Sequence, residues 1–210
     1  MTTAERKKRL DQIYRMLFAR YGEVACPLAH QTPFQLLAAV MLSAQCRDER
    51  VNQVTGILFR DYGTVGAMAA ADPEKIAEII HPCGLFVNKS RNLVAAARMI
   101  RDEFGGEVPT ALTDLIRLPG IGRKSANVLL GNAFATPGFP VDTHVGRVSR
   151  RLGLTEAADP VKIEAEITAA VPPERWCNLS HLLILHGREF CRARNPLCAE
   201  CPLKKICPSA

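Results

Sequence analysis

Three times in this sequence a side chain suited to cap a helix is followed at once by a proline: Thr32-Pro33, Asp72-Pro73 and Asp159-Pro160. Proline is well placed at a first helical position, where its missing N–H has no partner to lose and its fixed φ is already helical. Several of the 14 prolines in this 210-residue chain are therefore read as helix starts, not breaks. Strand signals are nearly missing. Aromatic residues are 6% of the chain, and no run of alternating β-branched residues sits between hairpin turns. An all-α fold follows.

The helical periodicity agrees. Leu10, Ile13, Tyr14, Leu17 and Phe18 fall on one stripe, with Arg6, Lys7 and Lys8 on the other side. Gln35, three residues after the Thr32 cap, is placed to reach back to it ahead of apolar Leu36 to Leu42. Further helices are predicted over 48–62, 89–104, 112–117, 122–134, 143–152 and 179–190, about ten in all, joined by short Gly/Pro loops. There is no internal repeat, low-complexity segment or long linker, so any division into domains is made by packing. At 48% apolar residues the chain can bury a real core without disulfide staples. No window reaches the roughly 18 uninterrupted apolar residues of a membrane span, and Met1 to Leu10 lacks the apolar core of a signal peptide. Neither secretion nor membrane insertion is expected. The eight cysteines then read as reduced thiols or metal ligands.

Four of those cysteines, Cys191, Cys198, Cys201 and Cys207, crowd the last twenty residues as C-x6-C-x2-C-x5-C. Pro196, Pro202 and Pro208 lie among them, and a tail so short of apolar residues has no core in which to bury four thiols. Cys26, Cys46, Cys83 and Cys177 are scattered and read as small buried hydrophobes. Zinc sites of four thiolates usually come as two paired C-x2-C knuckles, and only one such pair is present. The irregular spacing favours a wider iron–sulfur cluster, with zinc as the alternative. Arg192, Arg194, Lys204 and Lys205 share the loop with a single acid, Glu200, so the loop could also face phosphate.

Leu118 to Gly122, LPGIG, lies between two short predicted helices and supplies two glycines for a tight turn. N–H groups at the start of the second helix lack intrahelical partners and lie at its positive end, which suits an anion such as a DNA phosphate. An ordinary helix–helix connection has the same local sequence. Context separates the two. From Arg117 to Gly153 there are six Lys/Arg (Arg117, Arg123, Lys124, Arg147, Arg150, Arg151) and one acid, a net +5 of the chain's +6. A stripe so basic reads as a nucleic-acid face. Lys124 falls in the first turn of the second helix, where the N–H groups and Arg123 oppose its charge and favour the neutral, nucleophilic amine; a plain phosphate contact is the alternative. Asp142, in Val141-Asp142-Thr143-His144, is placed to cap the helix it precedes, and a carboxylate can cap and catalyse at once.

Together these residues resemble the endonuclease III family, in the iron–sulfur branch of the helix-hairpin-helix DNA glycosylase superfamily. The match is carried by SAQ at Ser43 to Gln45, LPGIGRKSAN at Leu118 to Asn127, VDTHVGRV at Val141 to Val148 and the four-cysteine tail. The resemblance implies a two-lobed all-α fold with a C-terminal cluster loop: a six-helix domain of residues 24–136 holding the helix-hairpin-helix at about 112–134, and an iron–sulfur domain of 1–23 plus 137–210, with the active cleft between the lobes. It implies a base excision repair enzyme that removes oxidised pyrimidines from duplex DNA and nicks 3′ to the abasic site. Lys124 would be the nucleophile, Asp142 would assist base departure, and Cys191, Cys198, Cys201 and Cys207 would hold a [4Fe-4S] cluster of mainly structural role. Gln45 would fill the hole left by the flipped base and Leu85 would wedge into the stack. Gly120, Gly122, Arg123 and Arg147 would face the DNA.

Arg47, where a smaller uncharged residue is usual in the family, bears on lesion preference. The implied setting is a monomer acting in a bacterial-type cytoplasm, at the nucleoid. Rival readings are a monofunctional mismatch glycosylase on the same scaffold, an inert helix-hairpin-helix DNA-binding module, and an electron carrier. The first normally lacks the lysine and carries an extra domain. The second has no need of Lys124 with Asp142, and the third no need of a basic stripe around a hairpin.

Overall fold

The computed structural model describes residues 2–134 and 136–210. Met1, first residue of the segment read for a signal peptide, and Ala135, within the span 24–136, lie outside them. The described chain is helical, in the order α1 (Thr3–Tyr21), α2 (Pro33–Leu42), α3 (Asp48–Tyr62), α4 (Val65–Ala70), α5 (Pro73–Ile80), α6 (Phe86–Glu103), α7 (Leu112–Leu115), α8 (Arg123–Ala133), α9 (Thr143–Arg151), α10 (Pro160–Thr168) and α11 (Trp176–Glu189). Single 3-10 turns lie at His81–Cys83, Pro173–Arg175 and Lys204–Ile206. No strand occurs among the described residues, and no described helix is long and apolar enough to cross a membrane.

The three cap-and-proline pairs start α2, α5 and α10, and each cap side chain accepts a backbone N–H of the first turn. At α2 the second half of the expected device differs. Gln35 Oε1 accepts the N–H of Gln31, at 2.9 Å, not that of Thr32, so the reach-back extends one residue further. A reciprocal capping box does occur at α1, between Thr2 and Glu5.

Two compact units are present: Met1–Ala25 with Pro137–Ala210, and Cys26–Thr136. In the second, α2 is the centre. Eight of its ten residues are buried, and α3, α6 and α8 pack around it. Leu36, Leu37, Leu58, Ile76, Ile80 and Leu93 are fully enclosed in this core. Seven described α-helices, α2 to α8, build this unit, where six were expected; α4, six residues rich in Ala and Gly, carries too short a stripe to be read from sequence. It packs on α6, and Arg98 Nε on α6 donates to Ala69 O at 2.9 Å.

The first unit has its own core of Leu10, Ile13, Leu17, Phe139, Val145, Leu179 and Leu183, with α9 and α1 both against α11. Arg6, expected on the solvent side of α1, is instead drawn in. Its Nε donates to Leu154 O and its guanidinium pairs with Glu166, both at 2.9 Å. Arg9 behaves alike, donating to Leu152 O and Ile206 O.

Candidate active site and cluster-binding loop

The LPGIG segment forms a tight turn in which Ile121 N–H donates to Leu118 O at 3.0 Å. Pro119 and Gly120 are its central residues, and Gly120 has φ +83°, the pattern of a type II turn. Gly120 is required twice over. A Cβ there would lie 2.9 Å from Met41 Cε and 3.1 Å from Asn92 Cβ, so the turn is seated directly against α2 and α6. Gly122, expected to be the second turning glycine, has φ −92° and is an ordinary extended N-cap of α8. A Cβ on Gly122 would meet nothing within 4 Å, so the ground before the helix is open to a ligand. Arg123 and Lys124 occupy the first turn of α8, and both are exposed.

Gln45 and Leu85 belong to the same unit, and the structure brings their segments together. Both have left-handed backbones, φ +56° and +50°, in residues that rarely adopt them. Such strain costs on the order of 1–3 kcal/mol per residue and concentrates at functional sites. Leu85 is 55% exposed at the start of α6, which excludes core packing as its reason for being apolar. Gln45 is exposed too, two residues beyond the Ser43 C-cap of α2. Arg47 is the exposed N-cap position of α3 and makes no side-chain cap bond.

Between these two turns lies a residue that the sequence reading missed. Lys89 is only 6% exposed, and its Nζ donates to Leu42 O, Ala44 O and Cys83 O at 2.8, 2.7 and 2.9 Å. Burial pulls its pKa below the usual lysine range. The available signal was its position four residues before Leu93 on the buried stripe continued by Ala96, Ala97 and Ile100, a place where lysine is rarely found.

Asp142, Arg147 and the cysteine tail belong to the other unit. Asp142 is half-buried and caps α9, its Oδ1 accepting Val145 N–H at 2.8 Å. Arg147, expected on the DNA face, is turned inward. Its guanidinium donates to Cys191 O and Gly187 O and lies 3.0 Å from His144 Nδ1. Arg151 likewise donates to Arg192 O and Ala193 O, and in the other unit Arg117 pairs with Glu103 and Asp114. Arg117, Arg147 and Arg151 of the basic stripe read from sequence are thus engaged within their own units. Only on folding does a guanidinium find the carbonyls that recruit it.

The tail closes on itself just after α11. Cys191 N–H donates to His186 O at 2.9 Å and Leu197 N–H to Phe190 O at 2.9 Å, while Cys201 follows Cys198 through a turn of 3.3 Å. Cys191, Cys198, Cys201 and Cys207 together line a cavity of about 260 Å³, with Leu152, Phe190 and Pro196 among its walls. Burial raises the Cys201 thiol, and the other three cysteines push it the same way, so four sulfurs share one space. Four soft donors around one cavity, at the irregular C-x6-C-x2-C-x5-C spacing, fit an iron–sulfur cluster better than one zinc ion. His186 Nε2 lies 3.7 Å from Cys201 Sγ, and Arg151 Nη1 donates to Cys191 Sγ at 3.6 Å, the kind of polar contact that steadies charge on a cluster's sulfurs. Arg192, Arg194, Lys204 and Lys205 stand exposed on the loop.

Comparison with known proteins agrees with this geometry. Residues 38–173 match the family model of the HhH-GPD superfamily base excision DNA repair protein. Residues 191–207 match that of the iron-sulfur binding domain of endonuclease III. The chain is 49% identical over 208 residues to endonuclease III of Synechocystis sp., covering 99% of this chain and 95% of that one. Among solved structures it superimposes on a non-covalent endonuclease III–DNA complex with a TM-score of 0.88, at 40% identity, covering 100% of this chain and 96% of the other. A trapped endonuclease III–DNA covalent intermediate gives 0.89, also at 40% identity, covering 100% and 97%. The chain belongs to the HhH-GPD superfamily of base excision DNA repair proteins, within its endonuclease III family, and is a DNA glycosylase with abasic-site lyase activity that carries a [4Fe-4S] cluster.

Proposed function

We propose that Lys124 and Asp142 carry the chemistry of this enzyme, and that its substrates are oxidised pyrimidines and abasic sites in duplex DNA. The reading rests above all on the hairpin. A type II turn fixed by Gly120 delivers α8 with open ground before it, and the first exposed turn of that helix bears Lys124. N–H groups at the positive end of this helix take a backbone phosphate, which brings the sugar of an extruded nucleotide to the amine.

Lys124 Nζ bonds to C1′ as the bond from C1′ to the base breaks, and the base leaves with that electron pair and a proton. Asp142 assists the departure and the proton transfers that convert the adduct to an imine. The imine acidifies C2′. Loss of a C2′ proton then expels the 3′ phosphate, nicking the strand, and water releases the sugar from the lysine. Gln45 occupies the space left by the base and Leu85 props the stack apart; their exposure and left-handed backbones support both roles.

Cys191, Cys198, Cys201 and Cys207 hold the cluster, which fixes the basic loop 191–207 in place and takes no part in bond cleavage. The assignment of a hairpin domain, read as 24–136, and a cluster domain, read as 1–23 with 137–210, is supported by two separate hydrophobic cores. The first boundary is better drawn after Ala25, since Val24 packs on the cluster-domain core and its N–H donates to Asn178 Oδ1. The enzyme works in the cytoplasm, at the nucleoid.

The test is a duplex containing one thymine glycol, incubated with iron-loaded protein and assayed separately for free base and for strand nicks. Both products are expected, with the nick carrying a 3′ unsaturated aldehyde end. Release of free base with an intact strand would reduce the enzyme to a monofunctional glycosylase.

A further inference from the structure

Lys89 has no role in the chemistry above, yet it is the buried charge nearest to the two segments that read the lesion. Its three acceptors come from two places in the chain. Leu42 O and Ala44 O lie at the C-terminal end of α2, immediately before Gln45; Cys83 O closes the 3-10 turn immediately before Gly84 and Leu85. Carbonyls at a helix end have no intrahelical partner and carry the negative end of the dipole, so an ammonium is well suited to gather them. The two segments are otherwise 40 residues apart in the chain, and each goes straight into a left-handed residue: Gln45 at φ +56°, and Gly84 at +66° followed by Leu85 at +50°. Strained conformations of this kind persist only where their surroundings over-determine them.

The groups facing the ammonium are the three carbonyls and the thiols of Cys46 and Cys83. The Cys83 thiol is pushed up to about 11 by burial and by its neighbour Cys46, so it supplies no thiolate to form an ion pair. The charge is held by backbone alone. Such an arrangement fixes backbone positions, since any shift of either segment leaves a buried ammonium short of an acceptor.

We propose that Lys89 is a positioning residue for lesion extrusion: by gripping Leu42 O, Ala44 O and Cys83 O at one point, it sets the spacing at which Gln45 and Leu85 enter the duplex together. The proposal rests on the reading of Gln45 and Leu85 given above. It separates base removal, which requires extrusion of a stacked base, from nicking at a preformed abasic site, where no base has to be extruded.

The experiment measures single-turnover base removal from a thymine glycol duplex and nicking of an otherwise identical abasic duplex, using iron-loaded wild type, Lys89→Met, Gln45→Ala and Leu85→Gly. Thermal melting is recorded for each. A reduced folded fraction lowers both activities alike, so the readout is their ratio. Lys89→Met is expected to lower the ratio of base removal to nicking by about tenfold or more, as for other small misplacements near reacting groups, with Gln45→Ala and Leu85→Gly shifting it in the same direction. If those two variants shift the ratio and Lys89→Met does not, the proposal is overturned while the reading of Gln45 and Leu85 stands. If neither of those two shifts it, that reading fails and the proposal with it. Should Lys89→Met not fold, Lys89→Arg is measured in its place. It keeps the charge but fans its donors in a plane, and an unchanged ratio in that variant overturns the proposal equally.

Discussion

Asp142 caps α9, and the chemistry proposed for it asks a second task of the same side chain. Its carboxylate accepts Val145 N–H and caps α9, and asparagine caps a helix about as well as aspartate does. Asp142→Asn is therefore expected to keep stability within about 0.5 kcal/mol in urea unfolding, while base removal falls by about 10²-fold with the charge. Full activity in that variant would leave Asp142 a cap only. The two hairpin glycines separate in a similar way. Gly120→Ala meets Met41 and Asn92 in a left-handed backbone and is expected to cost about 1–3 kcal/mol; Gly122→Ala, in open space at φ −92°, costs distinctly less. Equal losses would show that φ is not what selects glycine at position 120. Most features of the candidate site were legible from residue types: the turn glycine, the lysine after it, the capping aspartate, the four thiols. Lys89 was not, because lysine in a helix is normally solvated and its three carbonyl acceptors come together only on folding. Nor did anything in a glutamine or a leucine announce a left-handed backbone at Gln45 and Leu85.

Among the elements, α1 and α11 are joined by a polar clamp as well as by core packing. Tyr21 OH donates to Glu189 at 2.6 Å, and Arg20 pairs with the same carboxylate while lying over the Phe190 ring. Burial, and then the bond to Glu189, push the Tyr21 phenol up to about 12. The folded chain thus keeps a proton that the unfolded chain releases near the ordinary value of 10.0, and the associated stability is present below about pH 10 and lost as pH rises towards 12. Melting temperature is expected to fall across that interval, and to fall less steeply in Tyr21→Phe; identical slopes would remove Tyr21 as the cause. Helix starts were the most readable elements, since Thr32, Asp72 and Asp159 announce them through caps and prolines. Helix α4 was not readable, because Val65 to Ala70 is held by α6 and not by any periodicity of its own. The inward bonds of Arg6 and Arg147 were not readable for the same reason: side-chain type gives the charge but not the carbonyls that will recruit it.

For the whole molecule, the two units carry separate cores, and the cluster loop completes the one that holds α1, α9, α10 and α11. Leu203, Ile206 and three of the cysteines, Cys191, Cys201 and Cys207, belong to or pack on that core, so Cys201→Ser is expected to lose both iron and thermal stability. A colourless wild-type protein with stoichiometric zinc would contradict the cluster. Binding to duplex DNA should weaken steeply with salt, because phosphate contacts release counterions; affinity indifferent to salt would deny a phosphate-gripping surface. The most direct measurement is borohydride reduction of the iron-loaded enzyme on an abasic duplex, with the cross-linked peptide identified by mass spectrometry. One covalent adduct is expected, mapped to Lys124 and absent from Lys124→Ala. An adduct on another residue, or one that survives unchanged in Lys124→Ala, would contradict the assignment of the nucleophile.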